Sequence, residues 1–197
     1  DVSTLSLPDR WMLSRLAGAV KSSEAALNAF EYAEYSQTLY DLLWRDFCDW
    51  YLEAIKPSVA ADERQQAVLR TALDVILRLL HPVMPFVTEA LFESLAAHPL
   101  PIIRGVTLTP PKKPSADPSM LCIAGWPIMD EELIDPASEA AFEEMRSLVT
   151  AIREVRALHN VQTKRRVTLH TPAGYRIAEP ELVSTLGGLE TIASAEP

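Results

Sequence analysis

Eight of the 15 prolines in this 197-residue chain lie between residues 99 and 136: Pro99, Pro101, Pro110, Pro111, Pro114, Pro118, Pro127 and Pro136. Proline lacks the amide donor and its ring collides with the preceding turn, so no helix can run through such a stretch. The cluster divides the chain into residues 1–98, an extended connection over 99–136, and a third part, 137–197. A connection of that length has to run over the surface of what precedes it. Met120-Leu121-Cys122-Ile123 is apolar enough to dock there. Asp117 to Pro127 is expected to be ordered, and Arg104 to Ser115 mobile.

The first part reads as four helices. Pro8 suits a first helical turn, followed by a stripe of Met12, Leu16, Ala19, Val20 and Leu27 as far as Phe30. A second helix over about 33–55 is apolar nearly all round, apart from Asp41, Arg45, Asp49 and Glu53, four apart. That pattern predicts a central helix with neighbours on most sides, ended by Lys56-Pro57. A third starts near Asp62 and points Leu69, Leu73, Ile76 and Leu80 inward until His81-Pro82 stops it. A fourth begins at Pro85 with Phe86, Leu91, Phe92 and Leu95 inward. Four helices with short connections imply a bundle.

After the connection, a helix over about 137–159 carries Phe142, Met145, Val149, Ile152 and Val155 on one face and Arg146, Arg153 and Arg156 on another. Arg165 to Thr171 alternates as a strand does, a short helix follows at Pro180–Leu186, and a last strand is expected at Glu190–Ser194. The fold class is therefore mainly α: a helical bundle followed by a small α/β subdomain.

The bulk composition limits the chemistry. Apolar residues make up 48% and charged residues 23%, ordinary globular values. No apolar run is long enough to span a bilayer, and no signal peptide is seen. Cys48 and Cys122 stand far apart without a CxxC partner, which suits a reducing, cytoplasmic setting and makes a zinc site unexpected. A net charge of -9 argues against indiscriminate nucleic-acid binding but leaves room for local basic patches. The start at Asp1 rather than Met suggests a piece of something longer.

No catalytic motif is found: there is no GxSxG elbow, no Gly-rich phosphate loop and no HExxH, and Cys48 sits mid-helix among large apolar residues. Asp41, Asp49 and Glu53 could suggest a carboxylate metal site in a bundle. An Asp41–Arg45–Asp49 ion-pair ladder on a solvated stripe is the plainer reading, and no metal is expected.

Trp44, Phe47, Trp50 and Tyr51 crowd one helix, where rings serve core packing or a platform for flat ligands such as nucleobases. Basic residues are sparse but grouped: Arg10, Arg15 and Lys21 early, then Arg146, Arg153 and Arg156, then Lys164-Arg165-Arg166. Such groups form either a solvated face or contacts to phosphates.

Several runs together resemble one family. Asp9-Arg10-Trp11-Met12-Leu13-Ser14-Arg15-Leu16 is similar to the opening of the anticodon-binding bundle of class I aminoacyl-tRNA synthetases for large aliphatic amino acids. Leu80-His81-Pro82-Val83-Met84-Pro85-Phe86-Val87-Thr88-Glu89 is shared across that subgroup. Phe47-Cys48-Asp49-Trp50-Tyr51-Leu52-Glu53 with Lys56-Pro57 resembles the valine-specific branch. Ala124-Gly125-Trp126-Pro127 and Ile152-Arg153-Glu154-Val155-Arg156 are similar to its downstream part.

The resemblance implies a non-catalytic fragment that holds the tRNA(Val) anticodon stem-loop and belongs with the remaining domains of a monomeric ligase. The HIGH and KMSKS signatures are absent from these residues, so ATP is a cofactor of the full-length enzyme and none is expected here. It makes Arg10, Arg15, Trp44, Phe47 and Trp50 candidates for the anticodon surface, and Arg153, Arg156, Lys164 and Arg165 candidates for backbone phosphates. The alternative is a helical protein-protein interaction domain without RNA binding, which the acidic balance favours.

Overall fold

The computed structural model describes residues 2–98, 102–109, 120–162 and 164–194. The chain forms two compact units, Asp1–Pro136 and Ala137–Pro197.

The first unit is a bundle built around α1, Leu7–Asn28, which packs against α2, α4 and the segment that follows α2. The start of α1 is set locally. Ser6 caps it by accepting the Asp9 amide, and Pro8 stands in the first turn, where its missing donor costs nothing. Met12, Leu13 and Leu16 are fully buried. Phe30 lies beyond the helix with φ of 60° and is 75% exposed, so the apolar stripe ends before it.

The helix expected over 33–55 is one rod with three winds: α2, Tyr32–Tyr40; a π-helix, Asp41–Tyr51; and α3, Leu52–Ile55. The Leu52 amide bonds to the Phe47 carbonyl, the i→i+5 pattern of the wider helix. That register buries Leu42, Asp46, Phe47 and Tyr51, spaced by four or five residues instead of three or four.

Asp62 caps α4, Glu63–Leu80, by accepting the amides of Arg64 and Gln65. Its inward face is turned by one residue from the expected one. Val68, Ala72, Val75 and Leu79 are buried along with Ile76, whereas Leu69, Leu73 and Leu80 are half-buried. The hydroxyl of Tyr35 on α2 donates to the Leu79 carbonyl, fixing the two helices side by side.

Helix α5, Pro85–Ala96, starts at its proline. Its apolar positions are not confined to one face, so periodicity alone does not choose the buried one. Thr88 and Phe92 are buried, with Leu95 against the same cluster, and Phe86 and Leu91 point to solvent at 90% and 55% exposure instead of inward.

The connection is partly built from strands. β1, Val106–Thr107, pairs antiparallel with β2, Ile128–Met129, so Arg104 to Thr109 is ordered where mobility was expected. The rest of that expectation, over 110–115, lies outside the described residues. Arg78, on α4, explains the order: its Nη1 donates to the carbonyls of Thr109 (3.1 Å) and Gly125 (2.7 Å) while Asp74 holds its Nε at 2.5 Å. Leu121 is buried against Leu77 and Phe92. The Glu89 carboxylate accepts the amides of Leu121 (2.8 Å) and Cys122 (3.0 Å), anchoring that turn.

The second unit carries α6, Pro136–Leu158, whose Phe142, Met145, Val149 and Ile152 are buried; Val155, expected with them, is 58% exposed. β3, Val167–Thr171, runs parallel to β4, Leu189–Ser194, through the crossover helix α7, Pro180–Gly187. Parallel strands need such a crossover. Gly188 ends α7 in the left-handed region, φ 66°, as a helix-terminating glycine does.

Candidate functional site

In the first unit the site is organised by one buried carboxylate. Asp46 is 1% exposed, and its two oxygens take Arg15 Nε at 2.9 Å and Arg45 Nε at 3.2 Å. Arg45 also reaches Asp41 at 3.4 Å. The expected Asp41–Arg45–Asp49 ladder is thus replaced by an Asp41–Arg45–Asp46–Arg15 chain. The cause is the π-helix, which turns Asp46 inward between the two arginines. Both arginine side chains remain partly exposed, 35% for Arg15 and 47% for Arg45.

The rings of the same rod part company. Trp44 is 53% exposed beside Arg45, and Trp50 is half-buried. Phe47, a candidate for the anticodon surface, is 4% exposed and lies against Tyr51 at 6.0 Å between centroids. The π-register points it into the core, so it offers no stacking face. Arg10 pairs with Asp135 at 3.7 Å, whose amide in turn donates to Ser14 Oγ. It therefore helps to hold the end of the connection.

Tyr32, Tyr40 and Trp44 fall at multiples of four, which places them in one row of the rod, and each is more than half exposed. Phe30 extends the row at the α1–α2 turn, edge-on to Tyr32 with centroids 6.5 Å apart. Tyr40, Tyr32 and Phe30 were not among the sequence candidates. The spacings of eight between Tyr32 and Tyr40 and four between Tyr40 and Trp44 were visible, but nothing in the sequence separates an exposed row from a buried one. Flat rings beside fixed guanidinium planes are the chemistry that holds unstacked bases.

Cys48 lies in the same rod. Burial first, and the charge of Asp49 second, push the Cys48 thiol up, which keeps it protonated and inert. Among the described residues no three His, Cys, Asp or Glu side chains are grouped to hold a metal, and no helix is long and apolar enough to cross a membrane.

In the second unit Arg153 donates to the Leu186 carbonyl through Nε and Nη2, both at 3.2 Å. Arg156 donates to the carbonyls of Gly188, Gln162 and Arg165 at 3.2, 3.0 and 2.8 Å. Lys164 and Arg165 are exposed. The acidity of the chain is unevenly spread: residues 1–136 carry 11 Lys and Arg against 19 Asp and Glu, while residues 137–197 carry 7 against 8.

The family described as the anticodon-binding domain of tRNA ligase matches residues 9–171. The chain belongs to that family. Among individual relatives, it is 36% identical over 195 residues to a valine--tRNA ligase of Thermotoga maritima, covering 97% of this chain and 20% of the relative. A valine--tRNA ligase of Fervidobacterium nodosum is 33% identical, with 99% and 20% covered, and one of Rhodopirellula baltica is 35% identical, with 100% and 18% covered. The chain spans about a fifth of the length of these curated relatives.

Proposed function

We propose that this chain is the part of a valine--tRNA ligase that holds the anticodon stem-loop of tRNA(Val). Support comes from the exposed Trp44 next to Arg45, with Asp46 fixing Arg45 and Arg15 from below. Loop bases unstack onto Trp44 and the neighbouring tyrosines, and the two guanidinium groups meet base edges or phosphates. The pairing with Asp46 sets those planes before RNA arrives, which lowers the ordering cost of binding. Arg10 and Trp50 border this surface; Arg153, Arg156, Lys164 and Arg165 serve the backbone. ATP and the ligation chemistry belong to other domains of the ligase, so this piece works without a cofactor, as a monomer, in the cytoplasm.

The test is binding of tRNA(Val) transcript to the 197-residue chain, with and without replaced anticodon bases. Weaker binding of the replaced transcript, lost again in Trp44→Ala, is expected. Equal binding of both transcripts defeats the reading. A protein-docking role is favoured by one observation, the outward apolar face of α5 at Phe86 and Leu91. It gains ground if the chain retains no RNA at low salt.

A further inference from the structure

Resting on the RNA-binding reading, we propose that the second unit contains a separate pocket for the phosphodiester backbone, which grips RNA without reading its bases. Arg153, Arg156, Lys164 and Arg166 line one open cavity of about 650 Å³ beside Gly187-Gly188. Arg166, which was not among the sequence candidates, lines the cavity, and Arg165 does not. No acidic side chain and no aromatic ring is among its described lining residues.

The cations are held in place. Arg153 and Arg156 are tied to carbonyls of the turn after α7, and Arg166 Nη1 donates to the Leu189 carbonyl at 2.9 Å. Bonds to carbonyls orient a guanidinium without cancelling its charge. Gly188 makes that turn in the left-handed region, φ 66°, and its carbonyl accepts Arg156 Nη1 at 3.2 Å. Between residues 153 and 166 the chain places five Lys and Arg against Glu154 alone, within a protein of net charge -9. A focused positive pocket in an acidic molecule selects anions.

The occupant follows from what lines the pocket. Without a ring there is no stacking platform, so a base gains little here. The cavity is open and broader than one phosphate ion needs, which suits a strand passing through it.

The experiment is a salt titration of tRNA(Val) transcript binding by the 197-residue chain, comparing wild type with Lys164→Glu. Lys164 is exposed and is tied by no described hydrogen bond, so its replacement leaves the fold intact. Arg166→Gln is the second variant, with its folding checked by circular dichroism. Losing one phosphate contact lowers the slope of log Kd against log salt by about 1, and weakens binding about 5- to 10-fold near 100 mM salt. The same loss is expected on a transcript with a replaced anticodon.

An unchanged slope in both folded variants overturns the pocket, and so does a loss confined to the cognate anticodon. If tripolyphosphate binds in a Lys164-dependent way while RNA affinity does not change in the variants, the pocket serves a small phosphorylated metabolite and the proposal fails. Anticodon discrimination is read in the same titrations, so its absence removes the function proposed above while the slope still judges this pocket. A chain that binds no RNA overturns both.

Discussion

Tyr51 donates its hydroxyl to Asp9 Oδ1 at 2.8 Å, joining the π-helix to the first turn of α1 where both residues are almost wholly buried. Asp9 also accepts the Ser6 hydroxyl, and its place at a helix N-terminus favours a negative charge. Burial nevertheless dominates, raising the Asp9 carboxyl above its ordinary value of 3.8, with the charge of Asp62 adding in the same direction and the hydrogen bonds opposing. Tyr51 is raised as well, by burial and then by Asp9.

Because the folded chain holds the Asp9 proton more tightly than the unfolded one, its stabilising contribution is fully present below pH 3.8 and is lost as pH rises through the folded value. Asp9→Asn removes that dependence. Its stability relative to wild type is therefore expected to improve as pH rises above 3.8, measured by urea unfolding at each pH up to neutrality. A constant difference across that range would show that Asp9 does not titrate in the way its burial implies. Tyr51→Phe, which strips a donor from the buried carboxyl, is expected to cost about 1–3 kcal/mol.

Phe47 and Trp44 make a matched pair. Phe47→Ala empties a buried site and is expected to cost about 3–5 kcal/mol in stability. Trp44→Ala is expected to leave stability within about 1 kcal/mol while weakening RNA binding by the stacking of one base, about 1–3 kcal/mol. Denaturant unfolding and RNA titration of the two variants separate the roles. If Phe47→Ala unfolds no more readily than Trp44→Ala, the π-register is wrong.

Arg78 is 7% exposed and serves Asp74 and the carbonyls of Thr109 and Gly125 at once. Arg78→Met leaves Asp74 with Arg70, at 3.1 Å, and strips a donor from two carbonyls, at an expected cost of about 1–3 kcal/mol. Hydrogen exchange should quicken at the Gly125 amide, which bonds to the Thr109 carbonyl. Unaltered exchange there would mean that the strand pair holds without the arginine.

Gly188 offers a backbone test. Its φ of 66° suits glycine, and a Cβ would meet Arg156 only at ordinary contact distance. Gly188→Ala is thus expected to cost about 1–2 kcal/mol from conformation alone, seen as a lowered unfolding midpoint of the second unit.

Much of this architecture is legible from local chemistry. Pro8, Asp62, His81-Pro82 and Pro85 mark helix starts and stops that the structure places within a residue or two, because capping and proline geometry act over one turn. Residue identity in short runs also carried the family. Burial was harder to read. On α4 the inward face is shifted by one residue, and on α5 Phe86 points outward, since both helices have more apolar positions than their neighbours can cover.

The candidate site shows the same division. The sequence by itself determined that rings, acids and arginines would share one helical rod, and that a second basic group would follow α6. Only the tertiary structure decided which of them face solvent. The π-helix over Asp41–Tyr51 adds a residue to each turn, carries Phe47 and Asp46 inward and leaves Trp44 outside. That choice depends on packing against α1, where Asp46 meets Arg15 and Tyr51 meets Asp9, contacts 31 and 42 residues apart in the chain.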